Sequence, residues 1–163
     1  MSINPGRNTL IFVLTVLGTI ALDQASKALV VAWVEPGRTV TVIPHLISIT
    51  HSTNTGAAFG LLRGNGQIVF LAALVIVVMM LVWFFYSRDR MGAWSFLGLG
   101  LIVGGALGNN LLDRVFRGKV VDFLDLGWWP VFNIADIAII VGVIIVFSGY
   151  ARELWRSEAG DQP

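Results

Sequence analysis

The chain has 163 residues, 56% of them hydrophobic and only 13% charged, with a mean hydropathy of +0.79, which excludes an ordinary soluble domain and marks an integral membrane protein. Its formal charge of +1 comes from scattered Lys and Arg rather than a basic stripe, so nothing points to nucleic acid. The absence of cysteine excludes a disulfide, a thiolate nucleophile, a CxxC metal site and an acylated cysteine on the protein itself.

Four apolar segments approach the roughly 20 residues that a helix needs to cross hydrocarbon: Leu10–Trp33, Ile68–Tyr86, Trp94–Leu112 and Val131–Tyr150. The expected fold is a four-helix transmembrane bundle in a single domain, with both termini on one side. In the first segment, Leu10–Leu22 behind Arg7 has the size of a signal-peptide core. Asp23 and Lys27 are nevertheless followed by more apolar sequence, Ala28–Trp33, so one retained helix with a polar interruption is expected. Asp23 and Lys27 stand four apart, a spacing suited to a neutralising pair. Ser26 beside Lys27 does not make a Ser/Lys peptidase, because adjacent helix positions point in different directions.

Residues 35–66 are too few for another crossing and carry several Pro and Gly. Thr39–Ile43 and Leu46–Thr53 are rich in β-branched residues and partly alternate, which predicts short strands and a small extracytoplasmic sheet over the bundle. His45 and His51 fall here without an HExxH pattern, so they read as interfacial loop residues and not as zinc ligands.

The third segment carries Gly100, Gly104 and Gly108 at four-residue spacing, a face on which helices approach closely. At its end stands Gly108-Asn109-Asn110-Leu111-Leu112-Asp113-Arg114. On a helix Asn110 lies three, and Asn109 four, positions before Asp113, so an amide and a carboxylate share a face. Asp113 beside Arg114 is suited to tying a loop to the helix end. Beyond it, Asp122 is expected as a loop acid between Val121 and Phe123, and Asp125 as a plain interfacial residue. At the head of the last segment, Asn133 and Asp136 are three apart.

Arg7, Arg88, Arg90, Arg152 and Arg156 flank one side of the segments, and Arg38, Arg63, Arg117 and Lys119 the other. That slight bias places the termini in the cytoplasm and the polar helix ends outside. The six tryptophans fall near segment ends, as amphipathic rings should.

Acids kept at the edge of apolar sequence are candidates for function. Asp122 and Asp136 have no adjacent cation and form the natural pair. Two close carboxylates share a proton; the ionised one takes a proton from water while the other polarises an amide carbonyl. Such peptide hydrolysis needs no metal or other cofactor. Asn54, Asn110 and Asn133 are placed to orient the acids or the scissile peptide.

Five blocks, Asp23-Gln24-Ala25-Ser26-Lys27, Asn54-Thr55-Gly56-Ala57-Ala58-Phe59-Gly60, Gly104-Gly105-Ala106-Leu107-Gly108-Asn109 with Asp113-Arg114, Val120-Val121-Asp122-Phe123, and Trp129-Pro130-Val131-Phe132-Asn133-Ile134-Ala135-Asp136, together resemble the lipoprotein signal peptidase (signal peptidase II) family, in its order and from the first helix to the last. The resemblance implies an aspartic endopeptidase of the bacterial cytoplasmic membrane that removes the signal peptide from prolipoproteins just before a diacylglyceryl-modified cysteine. It implies Asp122 and Asp136 as the catalytic dyad. Asn54, Asp113, Arg114 and Asn133 would shape the site or bind substrate, Asp23 and Lys27 would support the polar core, and the outer sheet would be the family's cradle. It also implies contact with membrane lipids and inhibition by globomycin, a cyclic peptide that mimics substrate. One departure concerns the third block, where the family has two residues between Asn and Asp. Either Asn110 takes the functional place, the reading favoured by its preserved spacing, or Asn109 does, turned by about 100°.

Two other classes make different expectations. A proton-coupled transporter would spread Asp23, Asp113 and Asp136 along a path through the membrane, whereas a non-enzymatic assembly subunit would be indifferent to Asp122→Asn and Asp136→Asn.

Overall fold

The computed structural model describes residues 5–54, 75, 78–83, 85–86 and 92–158. Helix α1 runs over Pro5–Trp33, α2 over Ala93–Ala106, a π-helical turn over Leu107–Asp113, the short α3 over Arg114–Arg117 and α4 over Ile134–Glu158. The strands are β1 (Thr39–Ile43), β2 (Ile47–Asn54) and β3 (Val120–Asp125). Among the described residues three stretches, Gly6–Trp33, Ala93–Arg117 and Ile134–Arg152, are long and apolar enough to cross a membrane. The expected segment Ile68–Tyr86 lies largely outside the described residues; those of its residues that are described are helical.

The side chains of α1 are sorted inside out. Leu10, Leu14, Leu17, Leu22 and Leu29 are exposed, whereas Thr19, Asp23 and Lys27, at four-residue intervals, are buried. That pattern suits a helix whose outer solvent is lipid and whose polar groups must find partners within the protein.

α2 is the central helix and packs against α1 on one side and α4 on the other. Small residues permit both approaches. A Cβ at Gly100 or Gly104 would lie 2.7 Å from Thr15 or Thr19 of α1. One at Gly105 would lie 2.6 Å from the Ala135 carbonyl of α4, and one at Gly142 would lie 2.5 Å from the Gly98 carbonyl. The expected glycine face is thus a contact with α1, and Gly98 and Gly105 give α2 a second face against α4.

The sheet is antiparallel in the order β1-β2-β3. The β1–β2 turn passes through His45, at φ 60°. The two strands expected between the first two apolar segments are present. The third corrects the expectation of Asp122 as a loop acid: it stands on a strand, paired with Ser52 of β2. Short-range sequence signals missed it because β3 finds its partner far away along the chain and is itself only six residues long.

After β3 the chain turns through Gly127, at φ 78°, with the Gly127 N–H donating to Asp125 Oδ1 at 2.8 Å. It then returns so that Phe132 and Leu124 exchange backbone hydrogen bonds of 3.0 and 2.7 Å. This return brings the head of α4 alongside Asp122. Asp125 is therefore a structural residue, since it also accepts from the Thr50 hydroxyl at 2.9 Å.

Candidate functional site

Asn133 is the hub of the polar site. It is fully buried and is the residue just before α4, the N-cap position. Its Oδ1 accepts the Asp136 backbone N–H at 3.1 Å, while its own backbone N–H donates to Asp136 Oδ2 at 3.1 Å. This is a reciprocal capping box, built with Asn and Asp in place of the commoner Ser/Thr and Glu. Asn133 Nδ2 donates at 2.7 Å to Asp122 Oδ1, with a longer contact of 3.3 Å to the Val121 carbonyl. One side chain thus fixes the start of α4, orients Asp136 and holds Asp122.

Asn109 completes the link. Its Nδ2 donates to Asp136 Oδ1 at 2.9 Å, and its Oδ1 accepts from Asn133 Nδ2 at 3.0 Å and from Lys27 Nζ at 2.6 Å. Asn54, at the end of β2, supplies a further hydrogen bond to Asp122. Spacing alone favoured Asn110 as the functional amide, but its side chain lies outside the described residues. What the structure adds is the π-helical turn over Leu107–Asp113. A π turn accommodates one more residue than an α turn, so both Asn109 and Asp113 reach Lys27.

The second half of the site is a buried charge cluster. Lys27 is fully buried, 2.8 Å from Asp23 Oδ2 and 2.7 Å from Asp113 Oδ2. The second contact is electrostatic, because Asp113 Oδ2 receives no aligned hydrogen bond. Asp113 Oδ1 accepts from Arg117 NH1 at 2.5 Å and from Gln24 Nε2 at 3.0 Å. Asp23 Oδ1 reaches across to accept the Ala135 N–H at 3.1 Å, satisfying another free donor of the first turn of α4. Asp23, Asp113, Lys27 and Arg117 sum to zero charge, the condition under which buried ions are tolerated.

Several sequence readings change here. Asp113 pairs with Arg117, one helical turn on. Arg114 lies within electrostatic reach of both Asp122 and Asp113. Gln24 and Arg117 belong to the network without having been marked by the sequence, and so does Asn109, the alternative to Asn110 as the functional amide. Gln24 and Lys27 are three apart, and Asp113 and Arg117 four apart, so ordinary helix spacing carried the signal. His51 is buried on β2 with Nδ1 2.6 Å from the Val34 carbonyl, a strut between sheet and helix end. Among the described residues no group of three His, Asp or Glu is placed to hold a metal ion.

Burial, and then the neighbouring Asp136 carboxylate, push the Asp122 carboxyl up to about 6 from its ordinary 3.8, against the opposing pull of Asn133, Asn54 and Lys27. Two carboxyls coupled in this way titrate as one unit and can hold a single proton between them. The pair can therefore offer one base and one acid at the same spot.

A family model described as signal peptidase (SPase) II matches residues 15–151, a stretch that contains all of these side chains. The lipoprotein signal peptidase of Syntrophomonas wolfei is 43% identical over 127 residues, which cover 78% of this chain and 83% of that protein. The lipoprotein signal peptidase of Rhodococcus jostii is 42% identical over 146 residues, covering 86% and 71%. Among solved structures, a bacterial membrane enzyme determined by the in meso method superposes with a TM-score of 0.75 at 34% identity, covering 91% of this chain and 90% of that one.

Proposed function

The chain belongs to the signal peptidase II family, and from that premise we propose that it is an aspartic endopeptidase which cuts the signal peptide from diacylglyceryl-modified prolipoproteins just before the lipidated cysteine. The observation that carries this reading is the bridge made by Asn133 between Asp122 on β3 and Asp136 in the first turn of α4.

In the proposed reaction the dyad starts with one proton. The ionised carboxylate takes a proton from water as the water oxygen attacks the scissile carbonyl, and the protonated partner donates to the carbonyl oxygen. The roles then reverse. The leaving nitrogen takes a proton as the C–N bond breaks, and the dyad returns to its one-proton state.

Asn54, Asn133 and Asn109 orient the acids, with Asn109 occupying the amide position that spacing would have given to Asn110. Asp113 and Arg114 shape the same end of the site. Asp23 and Lys27 support the polar core. The enzyme lies in the bacterial cytoplasmic membrane with both termini in the cytoplasm and the dyad toward the outer face. Substrate arrives sideways through the bilayer, keeps its acyl chains in hydrocarbon and offers its peptide to the polar pocket. A cyclic peptide such as globomycin, mimicking that peptide, competes for the same place.

The test is cleavage of a diacylglyceryl-modified prolipoprotein by the purified protein in detergent, for wild type, Asp122→Asn and Asp136→Asn. Loss of cleavage in both folded variants supports the dyad. Cleavage that survives in either removes that acid from the chemistry.

A further inference from the structure

A cleft of about 550 Å³ opens between the end of α1, the sheet and the segment after α3. It is separate from the acids: Asp122, Asn133 and Asp136 do not line it. Thr53 and Val121, which do, are register partners across β2 and β3. By strand alternation their side chains lie on the face opposite Asp122, although Ser52, the register partner of Asp122, also lines the cleft.

The charge of the cleft is specific. Arg117 and Lys119 line it, and the described residues that line it include no carboxylate. Arg117 is balanced by the buried cluster through NH1, which bonds Asp113 and Gln24; its remaining N–H groups have no partner among the described residues. Lys119 is exposed and makes no ion pair among them. The cleft therefore carries one uncompensated positive charge and spare guanidinium donors, beside the Thr53 hydroxyl. That set matches a phosphodiester, which has one negative charge and two free oxygens.

Val31, near the end of α1, lines the cleft and is 49% exposed. An exposed aliphatic group near the end of a membrane-crossing helix is what an acyl chain and its glycerol would meet.

We infer that this cleft binds the phosphate of an anionic glycerophospholipid from the leaflet on the sheet side, through Arg117 and Lys119, with its chains against Val31. A lipid phosphate, unlike a free one, uses both the cations and the apolar Val31 beside them. The site also touches the dyad's support, because Arg117 holds Asp113, and Asp113 and Asn109 share Lys27.

The experiment is native mass spectrometry of the full protein in an uncharged detergent, titrated with phosphatidylglycerol or phosphatidylcholine. Wild type is expected to retain one phosphatidylglycerol with about tenfold preference, and Lys119→Glu to lose that preference by about tenfold. Thr53→Val, which leaves all charges in place, lowers retention a few-fold by removing one donor. Arg38→Glu, a charge reversal on the same side but outside the cleft, leaves retention unchanged. Equal retention of the two lipids, or an equal loss in Arg38→Glu, would overturn the inference in favour of general surface charge. Displacement of phosphatidylglycerol by millimolar inorganic phosphate would overturn it in favour of a free anion, and displacement by a soluble acidic peptide in favour of a polypeptide ligand.

Discussion

Asn133 and Asp136 hold each other in both directions, each accepting the other's backbone N–H through a side-chain oxygen at 3.1 Å. The proposed catalytic acid is therefore part of the device that starts its own helix, and it cannot swing without opening the first turn. Asn133→Ala removes the cap oxygen, at a cost of about 1 kcal/mol, and also the Nδ2 donor to Asp122. Asn133→Ser restores a cap but not the donor. Thermal unfolding should place the Ser variant near wild type and the Ala variant below it, with cleavage reduced about a hundredfold in both. Full activity in the Ser variant would mean that capping alone accounts for the role of Asn133.

Lys27 has no solvent to fall back on. Lys27→Met leaves Asp23 and Asp113 buried against each other and should destabilise the protein by about 3–5 kcal/mol. Adding Asp113→Asn restores the charge balance between Asp23 and Arg117 and should recover part of that loss. A double-mutant cycle on unfolding free energy measures the coupling; simple additivity would contradict the cluster.

The raised Asp122 carboxyl fixes the sign of a pH effect. The folded protein holds the proton shared by Asp122 and Asp136 up to about pH 6, whereas in the unfolded chain Asp122 releases its proton near 3.8. Between these values the folded state binds more protons, so this group makes stability fall as pH rises. Asp122→Asn removes the effect. Below about pH 4 the two proteins should melt alike, and above about pH 6 the variant should be the more stable by about 1–3 kcal/mol while inactive. Detergent-phase melting curves across that range decide it; a variant less stable at pH 7 than at pH 4, relative to wild type, would refute it.

The two asparagines of the π turn can be told apart. Asn109→Ala cuts the relay from Lys27 to Asp136 and should lower kcat about a hundredfold with little change in KM. Asn110→Ala should stay within a few-fold of wild type. The reverse pattern would return the amide role to Asn110.

Gly105 meets the Ala135 carbonyl one residue before Asp136, so Gly105→Ala must push the head of α4 away. Overpacking of this kind costs about 1–3 kcal/mol and should also slow cleavage at temperatures where the protein stays folded. Gly18 has open space around its Cβ position, and Gly18→Ala serves as the silent control in both assays.

Much of the site was readable because helical spacing is a local rule. Asp23 with Lys27, and Asn133 with Asp136, stand at intervals that put them on one face, and the structure closes both pairs. The strand carrying Asp122 was not readable in that way, since its pairing with Ser52 depends on a partner more than a helix away.

The sheet also sets an order of assembly. β1 and β2 are neighbours in the chain and pair as soon as both are made, but the second edge of β2 stays unfilled until β3 emerges, after the whole central helix. The capping box then waits for α4 itself. A nascent chain in the membrane thus carries an open strand edge, the kind of template that invites wrong partners, yet no joined pair of acids. On the proposed function, hydrolytic capacity is the last property the protein acquires, and an incompletely inserted copy is harmless to the membrane segments around it.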